Sequence, residues 1–179
     1  MIQIFKQTTA DTCLPSSLIM LLEDRVNISP SQTLELEILV EGDKLLRGNR
    51  TLGHLLYVTK KYNVRGIYFV SRTDTFEEAC SFLLKKGRDN IEVRQEKINS
   101  QFIKQLLTES EVITCIDDYA LRKQIHFPHF VVIENIGNNK FSLVDPWEGK
   151  RFLLSSTELD DAFRMLDKLN FSRELVQLV

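Results

Sequence analysis

Three cysteines, at positions 13, 80 and 115, are the candidate nucleophiles of the chain. Cys13 stands directly before LPSSLIMLLED (14–24), a run apolar at nearly every helical position. A thiol there would feel the positive end of a helix dipole, which favours the thiolate. The bland alternative is a small residue packed near a helix start, the commoner fate of a free cysteine. Cys80 shares a predicted helix face with Phe76, Leu83 and Leu84, and Cys115 lies within an apolar strand, so both read as core.

A thiolate nucleophile needs a base and a group to orient that base. There are three histidines. His54 sits in a helix beside Leu55 and Leu56 and reads as packing; His126 lies in a polar loop; His129 opens the strand HFVVIENI. Gly137-Asn138-Asn139 separates that strand from KFSLV and is a hairpin signal. Folding there sets His129 and Asp145 opposite each other, or nearly so, with Cβ atoms roughly 5 Å apart. An aspartate so placed can accept the ring N–H and fix its tautomer. A turn-opening Asp before Pro146 explains Asp145 equally well on geometry alone. Gln7, six residues before Cys13, could donate one hydrogen bond to an oxyanion, with the Cys13 N–H as the other donor; taken alone it is a surface glutamine. Trp147 either shields the His–Asp pair and lines a cleft or, more commonly for such an aromatic, packs beneath the hairpin turn.

The elements that would position these groups can be read from periodicity. Helices are predicted over 14–24, with Asp11 or Thr12 as cap, over 30–47 with Gly48 as a stop, and over 51–62 with Thr51 as cap. A strand over 64–70, a helix over 75–86 ended by Gly87, a short strand over 91–94 and a helix over 101–108 capped by Ser100 follow. The last third turns β-rich: 112–116, 129–136, 140–144 and 151–154, then a helix over 156–166 and a strand in the tail. A helical half followed by an antiparallel sheet is α+β.

The 179 residues suit one domain, 1–179. Lys plus Arg number 23 and Asp plus Glu 25, a net charge of −2 that speaks against a nucleic-acid partner. The longest aliphatic run, Leu18 to Leu22, is far short of the ~20 residues of a membrane helix, and the N-terminus lacks a signal peptide's apolar core. The odd, widely spaced cysteines form neither a disulfide framework nor a Cys-x-x-Cys metal site. The expectation is a cytoplasmic protein without structural metal.

Gln7, then Asp11-Thr12-Cys13-Leu14-Pro15-Ser16-Ser17-Leu18, then Pro128-His129-Phe130-Val131-Val132, then Val144-Asp145-Pro146 together resemble the bacteriocin-processing cysteine peptidases. These are papain-like enzymes that cut after double-glycine leader sequences. The resemblance rests on short motifs covering about a quarter of the chain, with the Gln–Cys and His–Asp intervals of the family. It implies a papain-like fold, a helical half carrying Cys13 against a sheet carrying His129 and Asp145. It also implies a Cys13-His129-Asp145 triad with Gln7 at the oxyanion, no cofactor, and a peptide or protein substrate. Leu14 stands where the family usually has glycine, near the oxyanion hole or the substrate path, and with Trp147 is a candidate substrate contact. The long interval from Cys13 to His129 implies a helical insertion or lid within 27–100. The leader peptidases are usually fused to a membrane transporter, and none is found in these 179 residues, so the expectation is a likeness to the stand-alone branch. The same residues also fit a silent peptide-binding module or a thiol acyltransferase.

Overall fold

Residues 2–46, 48–86, 90–137 and 140–179 are described by a computed structural model. α1 (Cys13–Val26) is buried at every position from Leu14 to Leu22, as a helix apolar nearly all round must be. α2 (Gln32–Leu45) and α3 (Arg50–Tyr62) pack on α1 and on each other. Their approach is close enough that a Cβ on Gly42 would stand 2.1 Å from the His54 ring.

β1 (Gly66–Val70), α4 (Thr73–Lys86) and β2 (Ile91–Gln95) come next, followed by α5 (Ser100–Leu106), β3 (Val112–Asp117), α6 (Tyr119–Arg122), β4 (Pro128–Gly137), β5 (Lys140–Asp145), β6 (Lys150–Ser155), α7 (Ser156–Lys168) and β7 (Glu174–Leu178). The strands form one sheet in the order β2-β1-β7-β3-β4-β5-β6. Side chains alternate across it as a pleat requires. Val132 and Val144 join Leu18, Leu22 and Leu55 in the core under α1–α3. Val131, Ile133 and Leu143 join Ile103, Phe163 and Leu166 beneath α5 and α7.

The architecture is the α+β one expected, with three differences of detail. β1 and β2 pair in parallel across α4, so the sheet carries a βαβ unit at one edge and is antiparallel elsewhere. The tail strand β7 is central, between β1 and β3. Residues 119–122 form a short helix that four residues of pattern did not announce. Thus the 27–100 stretch lays two helices on α1 and also adds two strands to the common sheet.

Some caps fall one or two residues before those predicted. Asn49, rather than Thr51, caps α3 by accepting the Leu52 N–H (3.0 Å), and Asn99, rather than Ser100, caps α5 by accepting that of Phe102 (2.8 Å). Thr51 instead donates to Glu174, and Ser100 to Asp160. Thr12 does stand at the α1 N-cap, but its hydroxyl turns back to the Thr9 carbonyl (2.9 Å). Leu84, predicted to lie with Cys80 on a buried face, is 74% exposed. The Gly87 stop and the Asn138-Asn139 hairpin tip lie outside the described residues; Gly137 pairs with Lys140. Among the described residues no helix is long and apolar enough to cross a membrane.

Candidate active site

Cys13 is the first residue of α1, and α1 packs against β4, the strand that begins at Pro128 and carries His129. The opening turn of a helix leaves its N–H groups without intrahelical partners. The backbone N–H groups of Leu14 and of Phe130 on β4 lie near enough to the Cys13 sulfur to favour its thiolate.

His129 and Asp145 are both fully buried. β4 and β5 pair Val132 with Val144, with a bulge between Ile133 and Asn135. Continued toward the site, that register sets Asp145 opposite Val131. His129 is therefore one diagonal step along the same face, not directly across. The diagonal is still within reach of long side chains, and His129 Nε2 lies 2.7 Å from Asp145 Oδ1. Asp145 is itself tied down: it accepts the Trp147 N–H on Oδ1 (2.9 Å) and the Glu148 N–H on Oδ2 (3.2 Å).

A residue that the sequence reading passed over completes this cluster. Arg122, on α6, donates to Asp145 Oδ2, pairs with the buried Asp118 one turn earlier, and lies 3.3 Å from Glu148. The only prior signal was an i,i+4 Asp–Arg spacing, in a stretch not read as helical.

With Nε2 engaged by Asp145, Nδ1 is the ring nitrogen left for the thiol. It is buried without a hydrogen bond of ordinary geometry, yet the Cys13 thiol is near enough for the two groups to shift each other. Burial alone would push the thiol up. The nearby His129 ring and its charge, with the two backbone N–H groups, outweigh it and hold Cys13 below the ordinary thiol range. Burial likewise pulls His129 down, but Asp145 and Cys13 prevail and raise it above the ordinary imidazole value. Asp145 is pushed up by burial and, more strongly, down by His129, by Arg122 and by the Trp147 N–H. All three directions favour a thiolate–imidazolium–carboxylate arrangement.

Gln7 is brought to the same loop. Its backbone N–H donates to the Pro146 carbonyl (2.8 Å), tying the segment before α1 to the turn that follows Asp145. Its side-chain Nε2 donates to the Thr9 carbonyl (2.7 Å), reaches Ala10 O only at 3.5 Å, and leaves Oε1 buried without a partner. Trp147 is 39% exposed and stands edge-on to the His129 ring, with centroids 6.4 Å apart. Phe127 fills the space beside both, and the Arg122 guanidinium lies over the Trp147 ring. Leu14 corrects the expectation of a substrate contact: it is 4% exposed and packs into the α1 core. A helix start turned toward β4 puts the residue after Cys13 inward.

The other candidates lie elsewhere. Cys115 is buried in β3, its thiol pushed well up by burial, and Cys80 is half-buried on α4. His54 pairs with Asp43, and His126 pairs with Asp117 while stacking on Tyr119. Among the described residues no three His, Cys, Asp or Glu side chains are grouped as metal ligands.

A crystal structure of a Bacillus anthracis protein described as a C39-like peptidase superposes with a TM-score of 0.54. The match covers 99% of this chain and 94% of that one, at 11% sequence identity. At that identity the likeness defines the fold, which the two chains share. No family model and no curated protein matches the sequence.

Proposed function

We propose that the chain is a cysteine peptidase that hydrolyses a peptide or isopeptide bond through a thioester. The observation that carries this reading is the meeting of Cys13, at a helix start, with a buried His129 whose far nitrogen is 2.7 Å from Asp145. The fold shared with a C39-like peptidase supports it, as do the motifs shared with double-glycine leader peptidases.

In this reading the Cys13 thiol has passed its proton to His129, and the thiolate attacks the scissile carbonyl carbon. The tetrahedral oxyanion takes the Cys13 N–H and the second Nε2 N–H of Gln7, the first being held by Thr9. Collapse breaks the C–N bond, and His129 gives its proton to the leaving amine. His129 then takes a proton from water, whose oxygen attacks the thioester; the acid product departs and the thiol is restored. Asp145 holds the ring throughout, and Arg122 holds Asp145.

Labelling with iodoacetamide near neutral pH, followed by peptide mapping, tests the nucleophile. Cys13 should react far faster than Cys80 or Cys115; equal labelling of the three in the folded protein removes the assignment. One observation favours a second reading, a peptide binder that does not cut: the Gln7 amide is turned toward Thr9. A peptide library separates the two, since a binder retains peptides intact and a peptidase releases fragments.

A further inference from the structure

Glu35 is a fully buried carboxylate on α2. Among the described residues it has no cationic partner within salt-bridge distance. Three donors surround it instead. The Thr8 N–H donates to Oε1 (2.9 Å), the Thr8 hydroxyl donates to Oε2, and the Ser16 hydroxyl donates to Oε1 (2.8 Å). Thr8 adjoins Gln7, and Ser16 lies one turn after Cys13 on α1. A single carboxylate thus grips both ends of the loop from Gln7 to Cys13. The loop's other anchor is the Gln7 N–H on the Pro146 carbonyl, at the turn beside Asp145.

Burying a carboxylate with only neutral donors is costly unless every donor is well placed. Hydrogen bonds to charged groups are also stronger and more directional than neutral ones. The loop they hold carries both groups offered above as oxyanion donors, so the arrangement resists the small displacements that weaken transition-state contacts.

We infer that Glu35 is a positioning residue that fixes the Gln7 end of this loop relative to its Cys13 end. This rests on the cysteine peptidase reading, and it brings α2 into the machinery without any contact with substrate. Glu35 supports the oxyanion contacts, while the thiolate–imidazolium pair is formed by other residues. Its loss should therefore impair acylation and spare simple alkylation.

Two reagents separate these. Iodoacetamide alkylates the thiolate by displacement at carbon and builds no oxyanion. p-Nitrophenyl acetate acetylates it through a tetrahedral oxyanion and releases p-nitrophenolate. Glu35→Ala should slow the acetylation burst about 10- to 100-fold, the range for a weakened oxyanion contact, and leave the rate and pH profile of iodoacetamide labelling unchanged. Glu35→Gln, which keeps an acceptor, should recover part of the burst. In a Gln7→Ala background, Glu35→Ala should add little, because the two act through one contact. A full wild-type burst, multiplicative losses, or equal slowing of both reagents overturns the inference.

Hydrogen exchange gives an independent readout. The Gln7 amide bonds to Pro146 and not to Glu35, so its faster exchange in Glu35→Ala, with α1 beyond Leu18 unchanged, reports release of the loop. Thr8→Val, which removes one donor only, should show the same effect more weakly and serves if Glu35→Ala does not fold. Unchanged Gln7 exchange in both overturns the positioning role. Wild-type protein inert to both reagents, with Gln7 exchange still sensitive to Glu35, would instead reject the peptidase reading and leave the clamp standing.

Discussion

Two buried histidines each meet an aspartate, His54 on Asp43 at the α2–α3 contact (3.1 Å) and His129 on Asp145 beside α1 (2.7 Å). Their protonation moves in opposite directions. Burial dominates at His54 and lowers it, because the Asp43 side chain is 38% exposed and Arg50 stands nearby. Water screens that carboxylate, and its attraction does not offset the desolvated ring. At His129 the aspartate is buried and the Cys13 thiol is a second acidic neighbour, so their combined pull exceeds the cost of burial. A His–Asp pair is thus no signature by itself. What differs beside α1 is a counter-charge removed from water and a thiol to share the proton.

The sharpest way to break the contrast is to delete each ring. His129→Ala is expected to lower turnover by about 10³-fold or more and to slow Cys13 alkylation near neutral pH, since the thiolate loses its imidazolium. His54→Ala should leave both intact. Activity and alkylation on the two variants, after circular dichroism confirms folding, decide it; comparable losses would dissolve the distinction between the regions.

A smaller loss is expected at the loop. Gln7→Ala should fold and still bind, with kcat reduced roughly 10²-fold and KM little changed. An unaltered kcat would mean that the amide serves Thr9 alone.

The packing at the α2–α3 contact offers the converse case. Gly42→Ala forces a Cβ into the His54 ring and toward its backbone, where His54 Cα would be only 2.8 Å away. A loss of about 1–3 kcal/mol in denaturant unfolding is expected, with iodoacetamide labelling of Cys13 in the folded protein unchanged.

The smallest effects are the pH slopes. His129 is raised on folding, so its stabilising contribution is complete below the unfolded value near 6.5 and fades as pH rises through the higher folded value. His54 is lowered, so its contribution is complete above about 6.5 and fades as pH falls toward the lower folded value. Denaturant midpoints from pH 5 to 8 should flatten on opposite sides of neutrality in His129→Ala and His54→Ala. Slopes of one sign in both would contradict the contrast.

Much of this arrangement was legible in the chain. The apolar continuity of 14–24 announced α1, and strand alternation with a glycine-led turn announced β4 and β5. The register came within one diagonal step, although the bulge between Ile133 and Asn135 has no sequence mark. Parallel pairing of β1 with β2 was not legible, since short buried strands look alike in either direction. Nor were Arg122 and Glu35: each acts through a partner far along the chain, and no local spacing encodes a contact between Thr8 and α2. Leu14 misled because a motif position says which residue follows the nucleophile, not which way its side chain turns.

The central place of β7 has a consequence for how the molecule is assembled. Among the described residues, β1 and β2 on one side and β3 to β6 on the other are joined in the sheet's hydrogen-bonded pairing only through residues 174–178. A ribosome delivers those residues after all the rest of the sheet. Until they arrive, β1 and β3 each hold an unpaired inner edge, open to mispairing. The non-local closure that follows is the sort that sets a slow folding step. A nascent chain would therefore carry its cysteine, histidine and aspartate for some time before the two parts of the sheet are joined beneath them.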